Sequence, residues 1–403
     1  MGRRFLSEQE VILQEEAEEW RAMLREMVNG DLADLGRDAV RQTLEDLMKE
    51  ERDWVLGYLP HERLPQGERS DHRNGYYRRD LMTTFGVLPK VAVPRSRQGS
   101  YQTQILPRYQ RRTRQVDEAI RQVFLAGVST RRVGEITKTL MGEAVSAQTV
   151  SRLCQTLGAQ VRAFHQRPLE DNLLYLHLDG LTMKIKGAQG VVSRVLLVAL
   201  GITTEGRRYL VDFRLAPRET KEHWQAFLEN LYLRGLHGDQ LACITTDGNP
   251  GLIGALEIIY PGAPRQRCWV HKMRNVSNYL KKEERKEALT GMAKIYSAPN
   301  RRQALLAFRE WYCHWHPIDA QAADCLKRDL EELLTIFSLP VRHRILMRTT
   351  NPLERVFVEV RRRSRPMLAF ANQASCERIC LSVFHHLQAS WNRKPIRPIT
   401  QKT

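Results

Sequence analysis

Three acidic residues stand where a charge is costly. Asp179 closes the run Leu173-Leu-Tyr-Leu-His-Leu-Asp179, Asp247 closes Leu241-Ala-Cys-Ile-Thr-Thr-Asp247, and Glu354 sits in Thr350-Asn-Pro-Leu-Glu354-Arg355. Each aspartate ends an apolar, strand-like stretch, where an ionised side chain is out of place unless it faces a site. Glu354 opens a helical segment crowded with arginine. One aspartate at a strand end reads as a turn cap; three carboxylates on these elements read as a clamp for cations. Carboxylates gathered together repel one another and call for a positive partner. Mg2+, with Mn2+ as its substitute, suits them because it prefers oxygen ligands, keeps several waters and accepts phosphate oxygens. Two such ions about 4 Å apart activate an attacking water or 3′-hydroxyl and stabilise the leaving oxygen of an in-line phosphoryl displacement. The expected catalytic residues and metal ligands are therefore Asp179, Asp247 and Glu354.

The charge of the chain points to the same class of substrate. Its 403 residues carry a formal net charge of +17, with a pI near 9.8, which calls for a polyanionic partner. Double-stranded DNA is the first candidate. The segment after Glu354 places Leu353, Val356, Phe357 and Val360 on one apolar stripe and leaves Arg355, Arg361, Arg362, Arg363 and Arg365 to cover the rest. Arg361 lies two helical turns beyond Glu354 and close to its face, where it could grip phosphate. A membrane is not expected: the longest apolar run, Val195 to Ile202, is too short to span a bilayer. No N-terminal stretch has the form of a signal peptide. Seven cysteines without a Cys-x-x-Cys pair argue against a disulfide framework. The expected compartment is a reducing cytoplasm, in association with the nucleoid.

The elements that must position these residues can be read in outline. Residues 1–60 read as a helical region, opened by the capping box Ser7-Glu-Gln-Glu10 and carrying Val11, Leu13, Trp20, Met23, Leu24 and Met27 on an approximate apolar face. Residues 61–165 read as a basic DNA-binding region. Asn74-Gly75 is a turn signal, and Leu81, Phe85, Val87, Val91 and Val93 alternate as in a short hairpin, with Arg73, Arg95 and Arg97 as candidate DNA contacts. A helix-turn-helix follows: Thr130 to Leu140, a turn over 141–145, then Ser146 to Leu157 with Ser146 as cap. It would present Gln148, Thr149 and Arg152 to a groove.

From Asn172 the pattern turns α/β. Strands are expected at roughly 173–179, 191–203 and 207–215, then a helix over Glu222 to Arg234 and a fourth strand ending at Asp247. A helix to Tyr260 and a short fifth strand near 265–270 follow. Side-chain alternation puts Asp179 on one face with His177 and Tyr175, and Leu174, Leu176 and Leu178 in the core. Residues 275–345 read as wholly helical. Three antiparallel strands, a helix, a strand and a late helix match the order of a ribonuclease-H-like mixed sheet. That gives an α/β core in two parts, 166–274 and 346–403, separated by an all-α insertion at 275–345 and preceded by the mainly helical DNA-binding region. Within such a sheet the first and fourth strands are neighbours, which brings Asp179 beside Asp247.

Cys268-Trp-Val-His271 follows the fifth strand. Two ligands do not complete a tetrahedral site, so zinc is not expected even with Cys313, His314 and His316 elsewhere in the chain. The motif reads instead as a structural or DNA-proximal element where the insertion leaves the core.

With these residues assembled, the chain resembles the Mutator-type DDE transposases of bacterial insertion sequences over nearly its whole length. The resemblance rests on Arg73-Asn-Gly-Tyr76, Val93-Pro-Arg-Ser-Arg97 and Tyr109, then on Leu178-Asp-Gly180 and Thr246-Asp-Gly248. It continues through Gln266-Arg-Cys-Trp-Val-His271 with Arg274-Asn275, and closes with Arg348-Thr-Thr-Asn-Pro-Leu-Glu354-Arg355 and Arg361-Arg-Arg-Ser-Arg365. It implies an enzyme that binds the terminal inverted repeats of its element, cuts there and joins the ends to target DNA, acting as a homodimer. The departures from the family pattern, Val356-Phe357 and Pro366-Met-Leu-Ala369, leave the three acids intact.

Overall fold

The computed structural model describes residues 8–62, 71–126, 128–396 and 399. The proposed cap at Ser7 lies outside them. The chain divides into two compact units, one of residues 1–124 with 128–153, the other of 125–127 with 154–403. The helix over Leu157–Gln166 therefore belongs to the second unit.

In the first unit, α1 (Glu8–Leu56) is one long helix, followed by β1 (Arg73–Thr83), β2 (Gly86–Ser96), α2 (Arg114–Leu125), α3 (Thr130–Met141) and α4 (Ala147–Gln155). Trp20, Met23 and Leu24, expected on an apolar face of α1, are exposed to solvent. Strands β1 and β2 form an antiparallel hairpin that turns between Thr83 and Gly86. Asn74-Gly75 is not that turn. It lies inside β1 at a shift in register between Arg73 and Tyr76, where Gly75 takes a φ of +65°; the αL residue that signals a turn serves a bulge equally well. Met48 of α1 packs with Leu81, Leu88 and Val91 of the hairpin. A second small core joins Met82 to Val116, Ile120, Val133 and Val150 of the three following helices.

The helix-turn-helix is present with one change. The hydroxyl of Ser146 accepts from the Thr149 N–H at 3.2 Å, and Gly142 ends α3 in the αL conformation. The second helix stops at Gln155, and α5 (Leu157–Gln166) starts after Thr156, so residues expected in one helix fall in two.

The second unit is built on a five-stranded sheet in the order β5-β4-β3-β6-β7, from β3 (Leu173–Gly187), β4 (Gly190–Thr203), β5 (Arg208–Ala216), β6 (Cys243–Thr246) and β7 (Arg265–Arg267). Strands β3, β4 and β5 are antiparallel neighbours, while β6 and β7 run parallel to β3. Both faces are covered. Helices α6 (Lys221–Leu233) and α7 (Pro250–Ile259) lie on one, where Trp224, Phe227 and Leu252 meet Leu176, Leu178 and Leu197. On the other face Tyr175 and Cys243 join the core of the helical segment that follows β7, through Trp269, Met292 and Trp311. Leu174 packs against this second cluster beside Tyr175, not with Leu176 as alternation alone predicts. The pairing of β3 with β4 shifts register between Leu173 and Tyr175, which resets the facing of the residue between them.

The helical segment comprises α8 (Trp269–Ser277), α9 (Arg285–Tyr296), α10 (Arg301–Trp315), α11 (Ala320–Arg328), α12 (Leu330–Leu333), a 3-10 turn and α13 (Val341–Met347). It begins six residues before the expected position 275, because the fifth strand ends at Arg267. After it come α14 (Asn351–Ser364), which packs on β3 and β4, and α15 (Gln373–Asn392), which packs on β5 and α5. Among the described residues, no helix is long and apolar enough to cross a membrane.

Candidate active site

Asp179 is not at a strand end. It lies in the middle of β3, which runs on to Gly187. What ends there is its neighbour: β6 pairs in parallel with β3 up to Thr246 opposite Leu178. The next residue on each strand is therefore Asp179 and Asp247, side by side where the sheet steps from five strands to three. The peptide N–H of Gly180 donates to Asp179 Oδ1 at 2.8 Å, and that of Asn249 donates to Asp247 Oδ1 at 2.9 Å.

A glycine follows each aspartate for a steric reason. At Gly248 the backbone φ is +87°, and a Cβ would lie 1.9 Å from Arg267 Nε. The Arg267 guanidinium lies against this turn, donating to the Gly248 carbonyl at 2.5 Å and pairing with Asp329. At Gly180 a Cβ would meet the carboxylate of Glu219 at 3.0 Å.

Glu219 is the residue that reading the sequence missed. It stands in the loop just ahead of α6, and Trp224 Nε1 donates to its Oε1 at 3.1 Å. In sequence it is one more acid before a helix start, where the macrodipole favours a negative charge; only the fold turns it towards the aspartates.

The electrostatics register this crowding. The carboxyl of Asp179 is pushed up to about 7, first by burial and then by the charge of Asp247, with Glu219 adding to it; His271 and the Gly180 N–H pull the other way. Glu219 is raised as well, by burial and by Asp247, against the hydrogen bond from Trp224. A buried carboxylate pushed towards neutrality by its burial and by a half-buried neighbour is short of positive charge. Their all-oxygen donor set fits a hard divalent cation.

Glu354 occupies the first turn of α14, half-buried, and its amide donates to the Thr350 carbonyl at 3.0 Å. Leu353, Val356, Phe357 and Val360 form the buried stripe of this helix, as its spacing predicts. Among the described residues, no three His, Cys, Asp or Glu stand close enough together to hold a metal ion. Glu354 thus does not close a ligand group with the two aspartates.

The basic residues fall into distinct environments. Arg355, Arg361, Arg362 and Arg365 are exposed, whereas Arg363 is largely buried against Glu359. In the first unit, Gln148 and Arg152 are exposed and Thr149 half-buried, its hydroxyl 3.0 Å from that of Ser146. Arg95 and Arg97 are exposed. Arg73 is held within the fold: it donates to Asp53 at 3.1 Å and to the Tyr58 carbonyl at 2.6 Å. A groove of about 1050 Å³ in this unit is lined by Arg79, Arg95, Arg108, Arg111, Tyr109 and Thr149 among others. Such a basic cleft with aromatic rings suits a nucleic-acid backbone.

Cys268 and His271 sit at the start of α8. The buried Cys268 sulfur accepts from the Thr350 N–H at 3.3 Å, and Thr350 Oγ1 lies 3.5 Å from His271 Nδ1. Cys313, His314 and His316 lie on or just after α10, where His314 faces Glu287 at 3.7 Å.

Comparison with known proteins gives the family. The family described as "Transposase, Mutator family" matches residues 10–394. The chain belongs to the Mutator family of transposases. It is 33% identical over 355 residues to the transposase for insertion sequence element ISRM5 of Rhizobium meliloti (strain 1021), covering 88% of each protein. It is 34% identical over 360 residues to the transposase for IS406 of Burkholderia multivorans, covering 88% of this chain and 90% of that one. With the transposase for IS256 in transposon Tn4001 of Staphylococcus aureus it shares 31% over 362 residues, 89% of this chain and 91% of that one. It is a transposase of an insertion sequence, and DNA cleavage and strand transfer are the activity of that family.

Proposed function

We propose that this transposase works through a DDE site on a ribonuclease-H-like core, with Asp179, Asp247 and Glu354 as ligands for two Mg2+ ions, Mn2+ substituting. The observation that carries the reading is the register of β3 against β6, which sets Asp179 and Asp247 side by side on neighbouring strands. The sheet order β5-β4-β3-β6-β7, antiparallel in its first three strands, supports the fold assignment.

When bound, the ions supply Lewis-acid stabilisation of the phosphodiester and an activated water or 3′-hydroxyl. The chain's own residues do the rest. Asp179 and Asp247 would hold the ions through oxygens oriented by the Gly180 and Asn249 amides, Asp179 as its carboxylate. Glu354, in the first turn of α14, would supply the third carboxylate. Glu219, anchored by Trp224, adds negative charge behind Asp179. Arg355 and Arg361 hold the phosphate backbone in line, where a bidentate guanidinium both attracts and orients.

The first unit recognises the ends of the element, the inverted repeats, with Gln148, Thr149 and Arg152 in the groove and Arg95 and Arg97 on phosphate. Two copies of the chain act together on the paired ends and target DNA.

The decisive experiment compares Asp179→Asn, Asp247→Asn and Glu354→Gln in cleavage, strand transfer and gel shift on end DNA. Each is expected to abolish both reactions and to leave binding largely unchanged, because an amide cannot supply the charge that holds a divalent ion. Full activity in any of the three removes that residue from the site.

A further inference from the structure

Cys268 and His271 take no part in the chemistry just proposed, yet they are placed at a junction. The chain leaves the sheet at the end of β7, passes through the helical insertion and returns at α14. We propose that Cys268, His271 and Thr350 form a clasp that joins the two ends of the insertion and sets the position of the helix turn carrying Glu354. The proposal rests on the reading of Glu354 as a site residue.

The clasp is a continuous line of hydrogen bonds. Cys268 and Thr350 are both fully buried and lie 82 residues apart in sequence. The Cys268 sulfur accepts from the Thr350 N–H at 3.3 Å and from its hydroxyl at 3.6 Å. His271, one helical turn after Cys268 and so on the same side of α8, brings Nδ1 to 3.5 Å from that hydroxyl. The Thr350 carbonyl in turn accepts from the amides of Leu353 at 2.8 Å and Glu354 at 3.0 Å. One residue therefore links the sulfur directly to the backbone of the glutamate.

Two neighbouring bonds stitch the same segment down. The Trp269 N–H donates to the Arg348 carbonyl at 3.0 Å, and Thr245 Oγ1 donates to the Met347 carbonyl at 2.8 Å. Thr245 is two residues before Asp247 and Cys268 donates its own amide to the Thr246 carbonyl at 2.8 Å. The strand that delivers one carboxylate and the helix that delivers another are thus tied through a single buried knot. The pairing suits a sulfur. Burial pushes the Cys268 thiol up, but the hydrogen bond and charge of His271 outweigh it and the net shift is down. His271 is raised to about 9, first by that hydrogen bond, against burial, and then by the charges of Cys268, Asp179 and Asp247. Both shifts run towards the charged forms, which strengthens the hydrogen bonds of this line.

A buried clasp at the mouth ties the turn that carries Glu354 to the strand that carries Asp247.

Cys268 and Thr350 are accordingly positioning residues. The test uses the full-length transposase on end DNA, with Cys268→Ala, Cys268→Ser, Thr350→Val, Thr350→Ser and the double variant Cys268→Ala/Thr350→Val. Cys268→Ala and Thr350→Val are each expected to slow strand transfer by about ten- to a hundredfold, the scale of a displacement near 1 Å. The Mn2+ concentration for half-maximal strand transfer is expected to rise, with gel-shift affinity unchanged. The double variant is expected to lose no more than the worse single one, as for residues acting as a unit. Thr350→Ser, which keeps both donors, is expected to restore activity and metal dependence.

Hydrogen exchange across 347–354 reads the clasp independently of chemistry. It is expected to accelerate in Cys268→Ala and Thr350→Val and not in Thr350→Ser. Unchanged exchange in Thr350→Val, additive losses in the double variant, or one equivalent of zinc retained by the protein and lost in Cys268→Ala would each overturn the proposal. Activity in Glu354→Gln together with accelerated exchange would instead sink the site reading and leave the clasp standing.

Discussion

Removing the charge of Asp179 is expected to stabilise the metal-free protein while destroying its activity. Asp179 is raised from an ordinary 3.8 to about 7 in the folded chain. Its folded value lies above the unfolded one, so the stabilisation is complete below pH 4. Between pH 4 and 7 the folded state holds a proton that the unfolded state has released, and stability falls as pH rises. Above pH 7 the loss is complete. A difference of about three units corresponds to a ceiling of about 4 kcal/mol. Since each kcal/mol moves Tm by about 2–4 °C in a unit of this size, even half of that ceiling gives a shift of several degrees. The assay is thermal unfolding of wild type and Asp179→Asn between pH 5 and 8, in chelator and then in excess Mg2+. In chelator the wild-type Tm is expected to fall across this range, and that of Asp179→Asn to fall less and lie above it at pH 8. Mg2+ is expected to raise the wild-type Tm at pH 8 and to leave the variant nearly unmoved, because a ligand that binds only the folded state stabilises it by mass action. A variant less stable than wild type at pH 8 in chelator would refute the claim that this carboxylate is held against its own charge.

Other outcomes follow from the same geometry. Gly248→Ala is expected to lower Tm by several degrees and abolish strand transfer, since a side chain at φ +87° costs about 1–3 kcal/mol and its Cβ must also displace Arg267 from the turn. Glu219→Gln is expected to lower the Mn2+ affinity of the site, read as the concentration for half-maximal cleavage, without altering end-DNA gel shifts; an unchanged concentration would leave Glu219 a structural partner of Trp224. Arg361→Ala is expected to slow strand transfer more than it weakens gel-shift binding, whereas Arg301→Ala, an exposed partner of Glu331 in the insertion, is expected to affect neither; equal small effects would make Arg361 part of a solvated basic face. Arg152→Ala is expected to reduce the preference for end DNA over random duplex, while Arg97→Ala weakens both alike and reduces the salt slope by about one.

The parts of this molecule that were legible in its sequence are those set by short-range pattern. The apolar strands before the two aspartates, the capped pair of helices after Thr130 and the buried stripe of α14 each show their period within a dozen residues. What depends on pairing was harder to see. Nothing in Leu173 to Asp179 says that β3 continues to Gly187, because its second half alternates exposed Thr182 and Lys184 with buried Leu181, Met183 and Ile185, a different pattern from the doubly covered first half. The bulge at Asn74-Gly75 carries the same residues as a hairpin turn, and only the partner strand decides between them.

The candidate site shows the same division more sharply. Asp179 and Asp247 were legible because each interrupts an apolar run, a conflict with burial that a sequence displays openly. Glu219 and Thr350 interrupt nothing. Glu219 precedes a helix, where an acid is ordinary, and Thr350 precedes Asn351-Pro352, where a threonine is ordinary. Their importance lies in what they touch: a carboxylate that fills the space where Gly180 has no side chain, and a backbone amide given to a sulfur 82 residues away. The glycine after each aspartate is the one local trace of these contacts. Gly180 and Gly248 are small because Glu219 and Arg267 occupy the volume a side chain would need. Each aspartate is thus followed by a glycine that leaves room for a second charged residue, and which residue fills that room had to come from the fold.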